Sequence, residues 1–175
     1  MTDTFWDWPN KRVQESGAAL VILQDAGFEV TEFVSRNDDP PDCEGKLDGK
    51  WSAVEVTRLT HEKTRAQSQK AIKERAAGRE PKKPEALYLW DRAEFLEAIQ
   101  GLIERKNAIA YKGGPYDRYV LVIHTDEFYL SRAAVDQFLK GTAFRADLIT
   151  DVVLGLSPAG DGYPTFRLHL NRRFR

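Results

Sequence analysis

The chain has 175 residues, 26 Lys and Arg against 27 Asp and Glu, a formal net charge of -1, and 42% hydrophobic with 30% charged residues. That size and apolar content suit a single domain over residues 1–175 and exclude a disordered chain, while the near-neutral balance gives no overall attraction to nucleic acid, which depends instead on where the charges lie. One cysteine, Cys43, leaves no internal disulfide; with no apolar leader in MTDTFWDWPNKR and no apolar run of membrane length, a cytoplasmic protein is the expectation.

In chain order, Phe5, Trp6 and Trp8 form an aromatic start expected to pack onto the core, with base stacking or partner binding as the alternative. Pro9 suits a first helical position. Val13, Ala18, Leu20, Val21, Ile22 and Leu23 give a helix over 9–26 its buried side, and Gly27 caps it. A strand is expected over 28–35, then a turn over 37–40. A short strand over 42–47, the hairpin turn Asp48-Gly49 and a β-branched strand over 51–59 follow. Thr60 can cap a polar helix reaching about residue 77. A basic loop over 78–84 and a short extended piece over 88–90 come next.

Asp91 with Glu94 reads as a capping box. It opens a helix carrying Phe95, Leu96, Ile99, Leu102 and Ile103 at helical spacing. Lys112 to Pro115 breaks the chain. Residues 119–124 (YVLVIH) are apolar enough for a sheet centre. A helix over 131–140 and strands over 152–156 and 165–170 close the chain. This order predicts an α/β fold, a mixed central β-sheet flanked by helices, with an early hairpin and a later helical crossover. It leaves the strand order open.

The chemistry concentrates in residues 41–57, PDCEGKLDGKWSAVEVT. Side chains alternate along a strand, so Trp51, Ala53, Glu55 and Thr57 share one face and Val54 and Val56 the other. Glu55 is anomalous, because a carboxylate between two valines of an internal strand needs a cation, a hydrogen-bond partner or solvent. The hairpin can bring Asp42 beside it. Two such oxygen donors with water suit Mg2+ (or Mn2+) better than zinc.

Pro41-Asp42 on one strand and Glu55-Val56-Thr57 on the next resemble the PD-(D/E)xK, or restriction endonuclease-like, nucleases. The resemblance covers roughly residues 10–75: helix, strand, Pro-Asp strand, hairpin, Glu-bearing strand, helix. It implies a restriction endonuclease-like core. It also implies that Asp42 and Glu55, with Glu15 of the first helix directly or through water, hold one or two Mg2+ ions for phosphodiester hydrolysis of DNA or RNA. The family's lysine is replaced by Thr57, whose hydroxyl can bond a water but brings no positive charge. Some members recruit a basic or amide residue from the following helix, where Lys63, Gln67, Gln69 and Lys70 are available. The alternatives are a catalytically inactive member of the fold that binds nucleic acid or a partner protein, and a small α/β protein with another ligand altogether.

Residues 61–83 carry eight Lys or Arg against three Glu, a local charge of 8 - 3 = +5, and Arg172, Arg173 and Arg175 end the chain. Such stretches can meet phosphates, or serve simply as solvated surface. A homodimer is compatible with the resemblance and not required by it. His124-Thr125-Asp126-Glu127 reads as a strand-end turn more than a ligand set, and His169 as an outward-facing residue. Cys43 has no histidine near it in sequence, and no Walker loop, dinucleotide fingerprint or zinc-type spacing occurs.

Overall fold

The apolar stretch Tyr119 to Ile123 and the valine-rich strand before it set the centre of the sheet, because each must bury side chains on both faces. A computed structural model describes residues 11–38, 40–81, 88–127, 129–158 and 162–172. Its elements are α1 (Lys11–Asp25), β1 (Val30–Ser35), β2 (Cys43–Leu47), β3 (Lys50–Arg58), α2 (Glu62–Ala76), α3 (Arg92–Asn107), β4 (Arg118–His124), α4 (Arg132–Leu139), β5 (Phe144–Ala146), β6 (Asp151–Gly155), β7 (Thr165–Arg167) and β8 (Leu170–Arg172). Six strands form a mixed sheet in the order β1-β2-β3-β4-β6-β7, and β5 pairs with β8 separately. β1, β2 and β3 form an antiparallel meander, whereas β4 lies parallel to β3, and β6 parallel to β4.

The period-two alternation sorts the core into two layers. Ala19, Ile22 and Leu23 of α1 pack with Val54, Val56, Val120, Val122 and Val153 on one face. On the other face, Phe95, Ile99, Leu102 and Ile103 of α3 and Val135 of α4 pack with Leu121, Ile123, Val152 and Leu154. The expected capping box is present: Asp91 accepts from the Glu94 amide at 2.8 Å, and Glu94 accepts from the Asp91 amide at 3.5 Å. Ser131 caps α4 through the Ala134 amide at 3.2 Å.

Four expectations change. The strand expected over 165–170 divides into β7 and β8: the Leu168 amide still donates to Val152 of β6, but the His169 carbonyl accepts from Phe144 of β5. The chain changes sheets at that point, and β5 is only three residues long, too short to show a period. Residues 88–90 form no strand. Phe28 lies before β1, buried under the Arg167 guanidinium, 3.8 Å from its ring centroid. His61, not Thr60, caps α2, because its Nδ1 accepts from the Lys63 amide at 3.2 Å. The aromatic start, Pro9, Lys82, Lys83, Arg173 and Arg175 lie outside the described residues. Among the described residues no helix is long and apolar enough to cross a membrane.

The meander has one tight point. The β1·β2 register slips between Thr31 and Val34, with Glu32 at φ 53°, so the bulge sets Glu32 and Phe33 against Gly45. A Cβ on Gly45 would lie 2.9 Å from the Phe33 Cα, which is backbone and cannot swing aside. Gly45→Ala is therefore expected to lower unfolding free energy by about 1–3 kcal/mol, read from the midpoint of a urea titration.

Candidate active site

The hairpin register aligns the two acidic residues. Cys43 pairs with Val54, so the next step along the ladder sets Asp42 opposite Glu55, both on the face away from α1. Pro41 has no N–H to continue the ladder, and the Asp42 side chain takes over: its Oδ2 accepts from the Val56 amide at 2.8 Å. The Asp42 carbonyl accepts from the Arg36 amide at 2.8 Å, extending the pairing with β1. Asp42 is thus held at both its main chain and its side chain.

Glu55 is 1% exposed. Across the sheet it stands in a row with Leu121 and Val152, the apolar floor beneath α3. A carboxylate there must be paired, and the partner is Lys106, whose Nζ donates to Glu55 Oε2. Lys106 lies in the last turn of α3, where a cation also meets the negative end of the helix dipole.

Tyr111 completes this corner. Its ring packs edge-on against Tyr119 with centroids 5.0 Å apart. Its hydroxyl is pushed well above the usual tyrosine range, first by burial and then by the charges of Glu55 and Asp42. One phenol senses both carboxylates and stays protonated as a hydrogen-bond donor. The segment that carries it is tied over the meander. The Lys112 amide donates to the Pro40 carbonyl at 2.9 Å, Arg36 pairs with Glu44 at 2.5 Å, and the Tyr116 hydroxyl donates to Glu44 at 2.9 Å. Gly113 fits there because a Cβ would meet Arg36 Nη1 at 2.6 Å.

The other expected residues are more dispersed. Thr57 shares the Glu55 face, half-buried beside Ile123 of β4. Glu15 is half-buried on α1, the layer covering the opposite face. Its charge reaches Cys43, whose thiol is pushed up to about 12 by burial first, then by Asp42, Glu15 and Glu55. Lys63 and Lys70 are exposed on α2 and line a cleft bounded by Arg58, Tyr88, Trp90 and α3, away from Asp42, Glu55 and Thr57. The cation at Glu55 is therefore Lys106 and neither of these lysines. Its sequence signal is its place on the α3 stripe Phe95, Ile99, Leu102 and Ile103, where a lysine interrupts an otherwise buried face.

His124 ends β4, and residues 125–127 continue without regular structure, not as the expected turn. Asp126 pairs with Arg58, and Glu127 accepts from Trp90 Nε1 and, at 2.7 Å, from the His61 amide. His169 is exposed. Among the described residues no three His, Cys, Asp or Glu side chains cluster as a metal site. The donor chemistry of Asp42 and Glu55 nevertheless fits a hard cation completed by water, as Mg2+ commonly is held through one or two carboxylates. Comparison of the chain with known protein families, curated proteins and solved structures finds no match.

Removing one partner of the buried pair leaves an uncompensated charge. Lys106→Met is expected to cost about 3 kcal/mol, since Lys106 keeps 22% of its surface in solvent. The double change with Glu55→Gln should recover most of that loss, measured by chemical denaturation. The raised Cys43 pKa means that the folded state holds its proton longer than the unfolded chain. Stability is unaffected below the unfolded thiol pKa, and falls as pH rises from about 9 towards about 12. Iodoacetamide at about pH 9 should alkylate Cys43 quickly in denaturant, and at least about a hundredfold more slowly in the native protein.

Proposed function

We propose that the protein is a metal-dependent, nuclease-like hydrolase of phosphodiester bonds in DNA or RNA, built on a restriction endonuclease-like core. The observation that carries this reading is the ammonium of Lys106 at Glu55, on the sheet face that Asp42 also shares. The positive charge that Thr57 does not supply thereby comes from α3. The order helix, three-stranded meander, helix and parallel strand supports the same core.

In this reading Asp42 and Glu55 hold the cation, and the Val56 amide fixes the Asp42 carboxylate in one orientation. Bound Mg2+ (or Mn2+) supplies a water of lowered pKa and neutralises charge on the phosphate. Lys106 adds a fixed positive charge where negative charge develops on the phosphoryl oxygens. The Tyr111 hydroxyl, kept protonated by its surroundings, donates to the Lys106 carbonyl at 3.5 Å and so ties the end of α3 to this corner.

A second reading is a catalytically inactive member of the same fold that binds nucleic acid or protein. It is favoured by the near-complete burial of Glu55 and its direct neutralisation by Lys106. Plasmid and single-stranded substrates incubated with Mg2+ or Mn2+ separate the two. The hydrolase reading expects cleavage that Asp42→Asn and Glu55→Gln abolish and that Lys106→Met slows by about 10²–10³, in proteins whose circular dichroism shows them folded. No cleavage by the wild type decides for the binding module, and full cleavage by folded Asp42→Asn protein overturns the assignment of Asp42 to the site.

A further inference from the structure

We propose that the cleft between α2 and α3 is a single-strand groove, in which unpaired bases stack on Tyr88 while their phosphates meet the cations of α2. This inference rests on the reading of the protein as one that acts on nucleic acid, and it names the substrate form.

The cleft encloses about 1390 Å³. Along α3 it extends from Glu94 to Arg105, about 16 Å at 1.5 Å per residue. Its far end is marked by Arg105, an exposed residue of the last turn of α3. Arg58, the residue after Thr57, also lines the cleft.

Its aromatic part is built around His61, which is 4% exposed. Tyr88 stacks on His61 with centroids 5.6 Å apart and 13° between planes, and Trp90 meets His61 edge-on at 4.7 Å. Gln67 donates to the Tyr88 hydroxyl at 3.0 Å, and Lys63 Nζ stands 5.5 Å from the Tyr88 centroid. The ring is thus fixed in orientation, with the exposed Lys63 ammonium over it in a position to meet a phosphate.

The charges are divided. The carboxylates near the aromatic end are engaged: Glu127 by Trp90 and His61, Asp126 by Arg58, and Glu94 by the Asp91 amide and His61. Glu62, Glu74 and Glu97 also reach the lining. Against these, Lys63, Arg65, Lys70 and Arg75 line the α2 wall, and no carboxylate among the described residues forms an ion pair with any of them. α2 buries no residue.

Aromatic faces beside a cationic wall suit unpaired bases. In a duplex the base faces are already stacked on one another, whereas an open strand offers them freely.

The test is fluorescence anisotropy on the full chain in EDTA. The probes are labelled oligo(dT), labelled oligo(U) and a duplex of equal length. At least one single strand should bind about tenfold more tightly than the duplex. Tyr88→Leu should weaken that binding about tenfold, while Tyr88→Phe, which keeps the ring, should bind like the wild type. Changing Lys63 and Lys70 together to Ser should lower the slope of log affinity on log salt by about 1.4. No binding, duplex preference, or a Tyr88→Leu protein that binds as tightly as the wild type overturns the proposal. Single-strand binding of the expected pattern in a protein that cleaves nothing removes the hydrolase reading and leaves the groove. Plasmid cleavage without single-strand binding does the reverse.

Discussion

One buried carboxylate constrains this end of the molecule. Glu55 sits in β3 among residues that have lost nearly all contact with water. An unpaired charge there costs several kcal/mol, so the fold must deliver a cation to it. α3 does so by ending over the sheet at a level where Lys106 reaches Oε2. Tyr111 then senses both Glu55 and Asp42, which links the hairpin to the crossover.

Much of the hairpin was legible because its signals are local. A carboxylate between Val54 and Val56 contradicts the strand around it, and that contradiction marks Glu55. Pro41 next to Asp42 marks the point where the ladder runs out of donors, which the Val56 amide contact explains. The capping box at Asp91 and the apolar strand ending at His124 were equally readable, since each depends on residues a few positions apart. The mixed sheet followed from the hairpin and the crossover, although its strand order did not.

Lys106 was not legible in the same way. It lies 51 positions from Glu55, and a lysine in the last turn of a helix is ordinarily just a favourable partner for the dipole. Lys63 and Lys70 fell on the nearer helix and looked better placed in sequence, but α2 buries no residue and both lysines are exposed on it. A polar helix with no buried face gives no periodicity from which its direction can be inferred. β5 was missed because three residues cannot display alternation. The division of β7 from β8 was missed because a change of pairing partner leaves no mark in composition.

The hydrolase reading requires Asp42 and Glu55 to hold a hard cation jointly beside Lys106. Titration of the protein with Mn2+, followed by electron paramagnetic resonance of the free ion, tests this without reference to any substrate. Saturable loss of the free-ion signal is expected in the wild type, with the signal restored by Asp42→Asn and by Glu55→Gln in proteins that remain folded. An unchanged free-ion signal in the wild type, or binding indifferent to both substitutions, would contradict this reading.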